Sequence, residues 1–109
     1  MKKLGILYRL GEWTVKTDKT SQFIEAWQAG GDWIAQNLPD DGEGILLQDI
    51  EDPNKFISFA FSVNHEKVQE ALSHPEFQEF MSKTRSLCEE VQSHRMQAVG
   101  YSYSNKKDE

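Results

Sequence analysis

Three histidines, His65, His74 and His94, stand in this chain, and no two of them lie three or four residues apart. No pair therefore has the spacing with which a helix grips a metal ion, and we expect no metal site and no bound cofactor. His74 directly precedes Pro75. There it either caps a helix start or, because imidazole titrates near neutrality, acts as a proton shuttle or axial ligand at a pocket mouth. His65 and His94 read as solvated side chains. Tyr8, Tyr101 and Tyr103 offer hydroxyls to an aromatic ligand, or sit at a sheet edge with the hydroxyl in water. Arg9 and Arg95 suit a developing oxyanion or peroxide, or surface and interface ion pairs. The catalytic candidates are thus His74, Tyr8 and Arg9. The single cysteine, Cys88, reads as a small helix-core residue. The 42–44 stretch, Gly-Glu-Gly, is too short and too acidic to cradle phosphate, and no nucleophile elbow or dinucleotide fingerprint is present.

A second constellation is apolar. Phe23, Trp27, Gly30 and Ile34 recur at helical spacing, widened by Ala26, Trp33 and Leu38, and predict a helix over residues 19–37. Thr17 and Asp18 offer its N-cap. Gly30 and Gly31 inside it cost about 2 kcal/mol relative to alanine, so the helix kinks there or something packs close to its backbone. Residues 55–63 alternate Ile57, Phe59, Phe61 and Val63 on one face with Phe56, Ser58, Ala60 and Ser62 on the other. This strand carries no charge after Lys55, so both faces are expected to be covered. One cover is helix. Trp27 and Trp33 read first as core residues; alternatively, the small Ser58, Ala60 and Ser62 beneath them leave room for a small aromatic or apolar ligand. The simplest cover for the face of Ile57, Phe59 and Phe61 is the same sheet in a second copy, a two-fold homodimer.

The elements that position these groups follow from pattern and punctuation. A first strand spans residues 4–15, with a bulge at Gly11 and with the face of Trp13 left open. After the long helix comes a loop over residues 38–44 and a short strand over 45–50. Glu51-Asp52-Pro53-Asn54 is a tight turn that joins this strand to 55–63 as a hairpin. Asn64 caps the next helix, which breaks at His74-Pro75 and restarts. Val68, Ala71 and Leu72 mark the apolar side of its first part; Phe77, Phe80 or Met81, Thr84, Leu87 or Cys88, and Val91 mark that of its second. A last strand covers 95–103, with Met96 and Ala98 on one face and Arg95, Gln97 and Val99 on the other. The order β-α-β-β-α-β is the ferredoxin-like α+β arrangement, an antiparallel sheet with its helices on one face. We expect one domain over residues 1–103 and a frayed tail over 104–109.

Charge and hydropathy narrow the function classes. The 109 residues include 18 acidic and 12 basic side chains, a net charge of −6. That argues against nucleic acid, which needs clustered cations. No apolar run approaches the length of a membrane span, and no signal peptide is read at the start. One cysteine allows no internal disulfide, which fits a cytoplasmic location.

Four short pieces carry a resemblance. They are Phe23-Ile24-Glu25-Ala26-Trp27, Gly44-Ile45-Leu46-Leu47-Gln48-Asp49, Glu51-Asp52-Pro53-Asn54-Lys55-Phe56 and Pro75-Glu76-Phe77. Across residues 4–100 the chain resembles the antibiotic-biosynthesis-monooxygenase (ABM) family of the dimeric α+β barrel superfamily. The resemblance implies sheets paired in a dimeric barrel and a pocket between helices and sheet. It also implies one of three activities: cofactor-independent oxidation of phenolic or quinol-like substrates, haem degradation, or none known. Many members end the third strand with tryptophan, and haem degraders add a histidine on the next helix. Those positions fall on Ser62 and Ala71 here. The haem degraders' asparagine on the first strand meets only Leu7, Tyr8 or Arg9. These departures count against haem. The expected function is a cofactor-free monooxygenase for a small aromatic or quinol-type compound. The alternatives are a haem-binding or haem-degrading protein and a non-enzymatic ligand-binding dimer.

Overall fold

The structure, a computed structural model, describes residues 4–38, 42–62 and 65–104. The chain runs β1 (Leu7–Val15), α1 (Thr20–Asn37), β2 (Glu43–Gln48), β3 (Lys55–Phe61), α2 (His65–Ser73), α3 (Pro75–Ser86) and β4 (Cys88–Gln97). The four strands form one antiparallel sheet in the order β2-β3-β1-β4. This is the expected ferredoxin-like α+β order, with β1 and β3 central and β2 and β4 at the edges. Expected features at Val63, Asn64, residues 39–41 and the tail from 105 onward lie outside the described residues.

Register settles the face of Trp13. Arg9, Gly11, Trp13 and Val15 share the helix side with Phe56, Ser58 and Ala60, whose β1 partners are Trp13, Gly11 and Arg9. Trp13, Val15, Phe23 and Phe56 form the buried core there, ringed by Leu46, Met81, Leu87 and Val91. A smaller cluster of Leu38, Val68 and Ala71 lies against Trp33, Ile34 and Leu72. On the other side of the sheet no described element covers the apolar groups. Ile45 is 53%, Leu47 45%, Ile57 42% and Met96 48% exposed.

Several boundaries differ from the expectation, each for a local reason. The register runs unbroken through Gly11, and the irregularity falls between Thr14 and Val15. Gly11 instead serves close packing, because a Cβ there would lie 2.7 Å from both Ser58 Oγ and Trp13 Nε1. Gly5 takes φ +87°, so the chain turns before β1 begins. Lys19, not Thr17 or Asp18, occupies the N-cap of α1 and makes no side-chain cap bond. The paired glycines do not break α1; Gly30 is buried, and a Cβ there would stand 3.4 Å from Phe80 Cβ of α3.

β2 stops at Gln48 rather than 50, because the Asp49 carboxylate accepts from the backbone N–H of Glu51 (2.7 Å) and Asp52 (2.9 Å) and closes the turn early. The Asn54 side chain then donates to Val15 O at 3.0 Å and ties the hairpin to β1. β4 begins at Cys88, well before 95, so Cys88 and Val91 are strand residues. The helical spacing of Leu87, Cys88 and Val91 loses to pairing along β1, where Val91 stands opposite Trp13. The break at His74-Pro75 is as expected, with Pro75 in the first turn of α3.

Candidate functional site

The helix side of the sheet changes character along its length. One cross-strand row, Gln48–Phe56–Trp13–Val91, is large. The next, Leu46–Ser58–Gly11–Ser93, is mostly small, and the one beyond it, Gly44–Ala60–Arg9–Arg95, is small apart from its arginines. Above these rows α1 presents Trp27, Gly30, Gly31 and Ile34, and α3 presents Phe77, Phe80, Met81 and Thr84. Between helices and sheet lies a cavity of about 490 Å³. Its wall is aromatic and aliphatic, its floor is glycine, alanine and serine, and its polar points are few, the usual make-up of a small-molecule site.

Ser58 stands where the packed core ends and the cavity begins. It is buried, and its Oγ accepts from the Trp13 indole N–H at 3.0 Å. Its own proton is left to donate to a ligand oxygen. Thr84 is buried on the roof, with its hydroxyl spent on Phe80 O at 2.8 Å. Arg9 supplies a cation to the wall. Partial burial, and after it the Arg95 charge, holds the Arg9 guanidinium below its usual pKa, although much of the side chain stays open to solvent; an arginine so placed keeps its charge at neutral pH.

Of the residues expected to line a pocket, Trp27, Ser58, Ala60 and Ser62 do so. Trp33 does not; its ring packs against His74 at 5.1 Å and Phe77 at 6.0 Å. Of the catalytic candidates only Arg9 reaches the cavity. His74 is the N-cap of α3, its Nδ1 accepting from the Glu76 N–H at 3.1 Å. Tyr8 lies on the helix-free face, 5.1 Å from the Phe61 ring. Ile57 and Phe59 share that face. Phe61 shares it too, and at the end of β3 it also reaches the cavity edge.

Gly11, Gly44, Ser93 and Phe80 also line the cavity and were not named as pocket residues from the sequence. Gly44 carried a signal: within the dismissed 42–44 stretch, a Cβ there would lie 3.6 Å from the Trp27 ring. Cys88, expected in a helix core, is instead a half-buried residue at the start of β4. Its thiol is pushed up to about 11, mainly by burial, and contacts Thr84 O at 3.5 Å. Among the described residues no group of three potential ligands could hold a metal, and no helix is long and apolar enough to cross a membrane.

No family profile and no curated protein sequence matches the chain. Solved structures do. SnoaB, a cofactor-independent oxygenase from Streptomyces nogalater, here as a variant with one asparagine replaced by alanine, aligns with a TM-score of 0.79 at 16% identity, over 89% of this chain and 96% of that one. This chain has the ABM fold. An antibiotic biosynthesis monooxygenase aligns with a TM-score of 0.72 at 14% identity, over 86% of this chain and 99% of that one. A conserved protein from Methanosarcina mazei Go1 gives 0.72 at 13%, over 88% and 95%. In the ABM fold of this chain, the cavity lies between the helix layer and the floor of β1 and β3.

Proposed function

We propose that this protein is a cofactor-independent monooxygenase that oxidises a small electron-rich aromatic of the quinol or anthrone type, working as a homodimer. The observation that carries it is the cavity: aromatic groups over a floor of small residues, in the fold that SnoaB also has. An anthrone can reduce dioxygen itself. Loss of a proton gives an enolate, which passes electrons to O₂ and bonds to it. Collapse of the resulting hydroperoxide leaves a carbonyl on carbon, with one oxygen atom in the product and the other released as water. The four electrons that dioxygen takes all come from the ring system.

The chain's part in this is to bind, exclude water and favour the anion. Trp27 and Phe80 offer ring faces and edges to the substrate. Ser58 offers a hydroxyl proton to its oxygen, and the charge of Arg9 favours the ionised form. We carry Arg9 forward from the three catalytic candidates because it alone lines the cavity. The lining counts against haem: among the described residues it offers no imidazole, thiolate or phenol, and only the thioether of Met81 as a soft donor. The uncovered face of Ile45, Leu47, Ile57, Phe59 and Met96 is the surface for the second copy.

An oxygen electrode and absorption spectra with a panel of anthrones and naphthoquinols test the chemistry. Oxygen uptake with quinone formation is expected, and Ala60→Leu should cut it at least tenfold (about 1.4 kcal/mol) by filling the floor. Ligand binding without uptake across the panel would leave a non-enzymatic binding protein. Added haemin should show no Soret shift. Sedimentation should give a dimer, and Ile57→Asp should convert it to a monomer.

A further inference from the structure

The row Gly44–Ala60–Arg9–Arg95 ends in two arginines that are direct partners across the β1–β4 ladder; Arg9 lines the cavity, and Arg95 stands exposed on the edge strand beside it. Opposed residues of such a ladder share one face with their Cβ atoms about 5 Å apart, and like charges placed so destabilise the sheet. Neither guanidinium makes an ion pair or hydrogen bond with a described residue. Carboxylates are not scarce, for the chain has 18 acidic side chains against 12 basic ones. Glu43, the one described carboxylate lining the cavity, makes no ion pair with Arg9. Arg85 lines the cavity too, but the C-terminal turn of α3 accounts for a cation there. No fold element accounts for the Arg9–Arg95 pair. The residues beside Arg9 on its face, Ala60 and Gly11, are small and leave space against its fork.

We propose that Arg9, at the cavity wall, and Arg95, exposed beside it on the edge strand, form an anion site at the cavity mouth, and that it takes the carboxylate of an aromatic acid whose rings lie along Trp27 and Phe80. Two planar forks match the paired oxygens of a carboxylate, and the incoming charge relieves the repulsion between them. The lowered pKa of Arg9, which burial causes first and the Arg95 charge second, agrees with a guanidinium that has no counter-ion among the described residues. A lone phenolate oxygen would leave most of these donors unused. The substrate class narrows from electron-rich aromatics to those bearing an acid group remote from the reacting carbon. This rests on the oxygenase reading only in taking the cavity as the ligand site.

The test uses 2-naphthoate and its methyl ester, which are not oxidised, so binding is read apart from turnover. Each is titrated into the full chain by calorimetry and by quenching of Trp27 fluorescence. The acid should bind tenfold or more tighter than the ester, an effect on the order of one charge-assisted hydrogen bond, and its affinity should fall with added salt. Arg95→Gln and Arg9→Gln should erase the preference, bringing acid affinity down to that of the ester in the same variant. Both variants should melt at or above the parent temperature, since each removes a repulsion; if one fails to fold, the other decides. Equal affinities of acid and ester in the parent overturn the anion site and leave the cavity reading standing. Tighter binding of 2-naphthyl phosphate than of 2-naphthoate overturns the carboxylate assignment. Binding of neither acid nor ester overturns both. An acid preference with no oxygen uptake on any anthrone keeps the site and removes the oxygenase.

Discussion

The two ends of the helix–sheet interface obey opposite rules although one helix and the same strands build both. At the hairpin end, Phe23 packs between Trp13, at 5.3 Å between ring centroids, and Phe56, at 4.8 Å, and no room is left. At the other end the strands carry Gly11, Ser58, Ala60 and Gly44, and the helix rides over a space of about 490 Å³. The packed end holds α1 at its distance from the sheet. The small residues at the far end then leave a gap that the helix cannot close, because it is a rigid rod anchored elsewhere. A cavity in a chain of this size thus needs a strong core beside it.

The largest effect should come from the packed end. Phe23 is fully buried at 0% exposure, and Phe23→Ala should cost about 3–5 kcal/mol, read as a lower urea midpoint. If this variant lost no more stability than a substitution on the cavity floor, the contrast between the two ends would fail. Gly11→Ala comes next, because it strikes the boundary between them. Its Cβ would collide with Ser58 Oγ and Trp13 Nε1, each 2.7 Å away. About 1–3 kcal/mol should be lost as the Trp13–Ser58 bond is pushed apart, together with a change in the near-ultraviolet circular dichroism of Trp13.

How much of this contrast the sequence revealed differs from element to element. The alternation of residues 55–61 is plain because a strand's period is two, so Ser58 and Ala60 could be placed opposite Ile57 and Phe59 before any coordinates. The Pro75 restart was equally plain, since proline suits only the first turn of a helix. The start of β4 was hidden. Leu87, Cys88 and Val91 keep helical spacing past the true end of α3, and only the nine residue pairs formed with β1 override it. Arg9 could be named as a candidate, but its unpaired place beside Arg95 depends on a register that no local pattern encodes. Tyr8, one residue away, falls on the other face for the same reason.

The glycine pair of α1 sharpens the comparison with smaller effects. A Cβ on Gly31 would meet nothing within 4 Å, whereas one on Gly30 would stand 3.4 Å from Phe80 Cβ. Gly31→Ala should therefore gain about 0.5–1 kcal/mol from helix propensity alone, a rise of a few degrees in melting temperature. Gly30→Ala should gain less, because Phe80 must give way. Equal gains for the two would mean that α1 and α3 are not held in close contact over the cavity.

The smallest effect is one of pH, and it belongs to the packed end. The Asp49 carboxylate accepts the Glu51 and Asp52 N–H groups, and these bonds, Glu51 first, hold its pKa below the usual 3.8. With the folded value depressed, its contribution to stability is fully present above the unfolded pKa and is lost as pH falls through the folded one. Asp49 is solvent-exposed, so the change should be local and slight. In an NMR titration from neutrality to strong acid, the Glu51 and Asp52 amide signals should shift together with a midpoint below 3.8, while the Phe23 amide stays still. Asp49→Asn should abolish that titration and keep the hairpin, since an amide oxygen still accepts. Phe23 moving in step with the turn would show that the core is only as firm as the loop that closes it, and the rigid anchor on which the cavity depends would be gone.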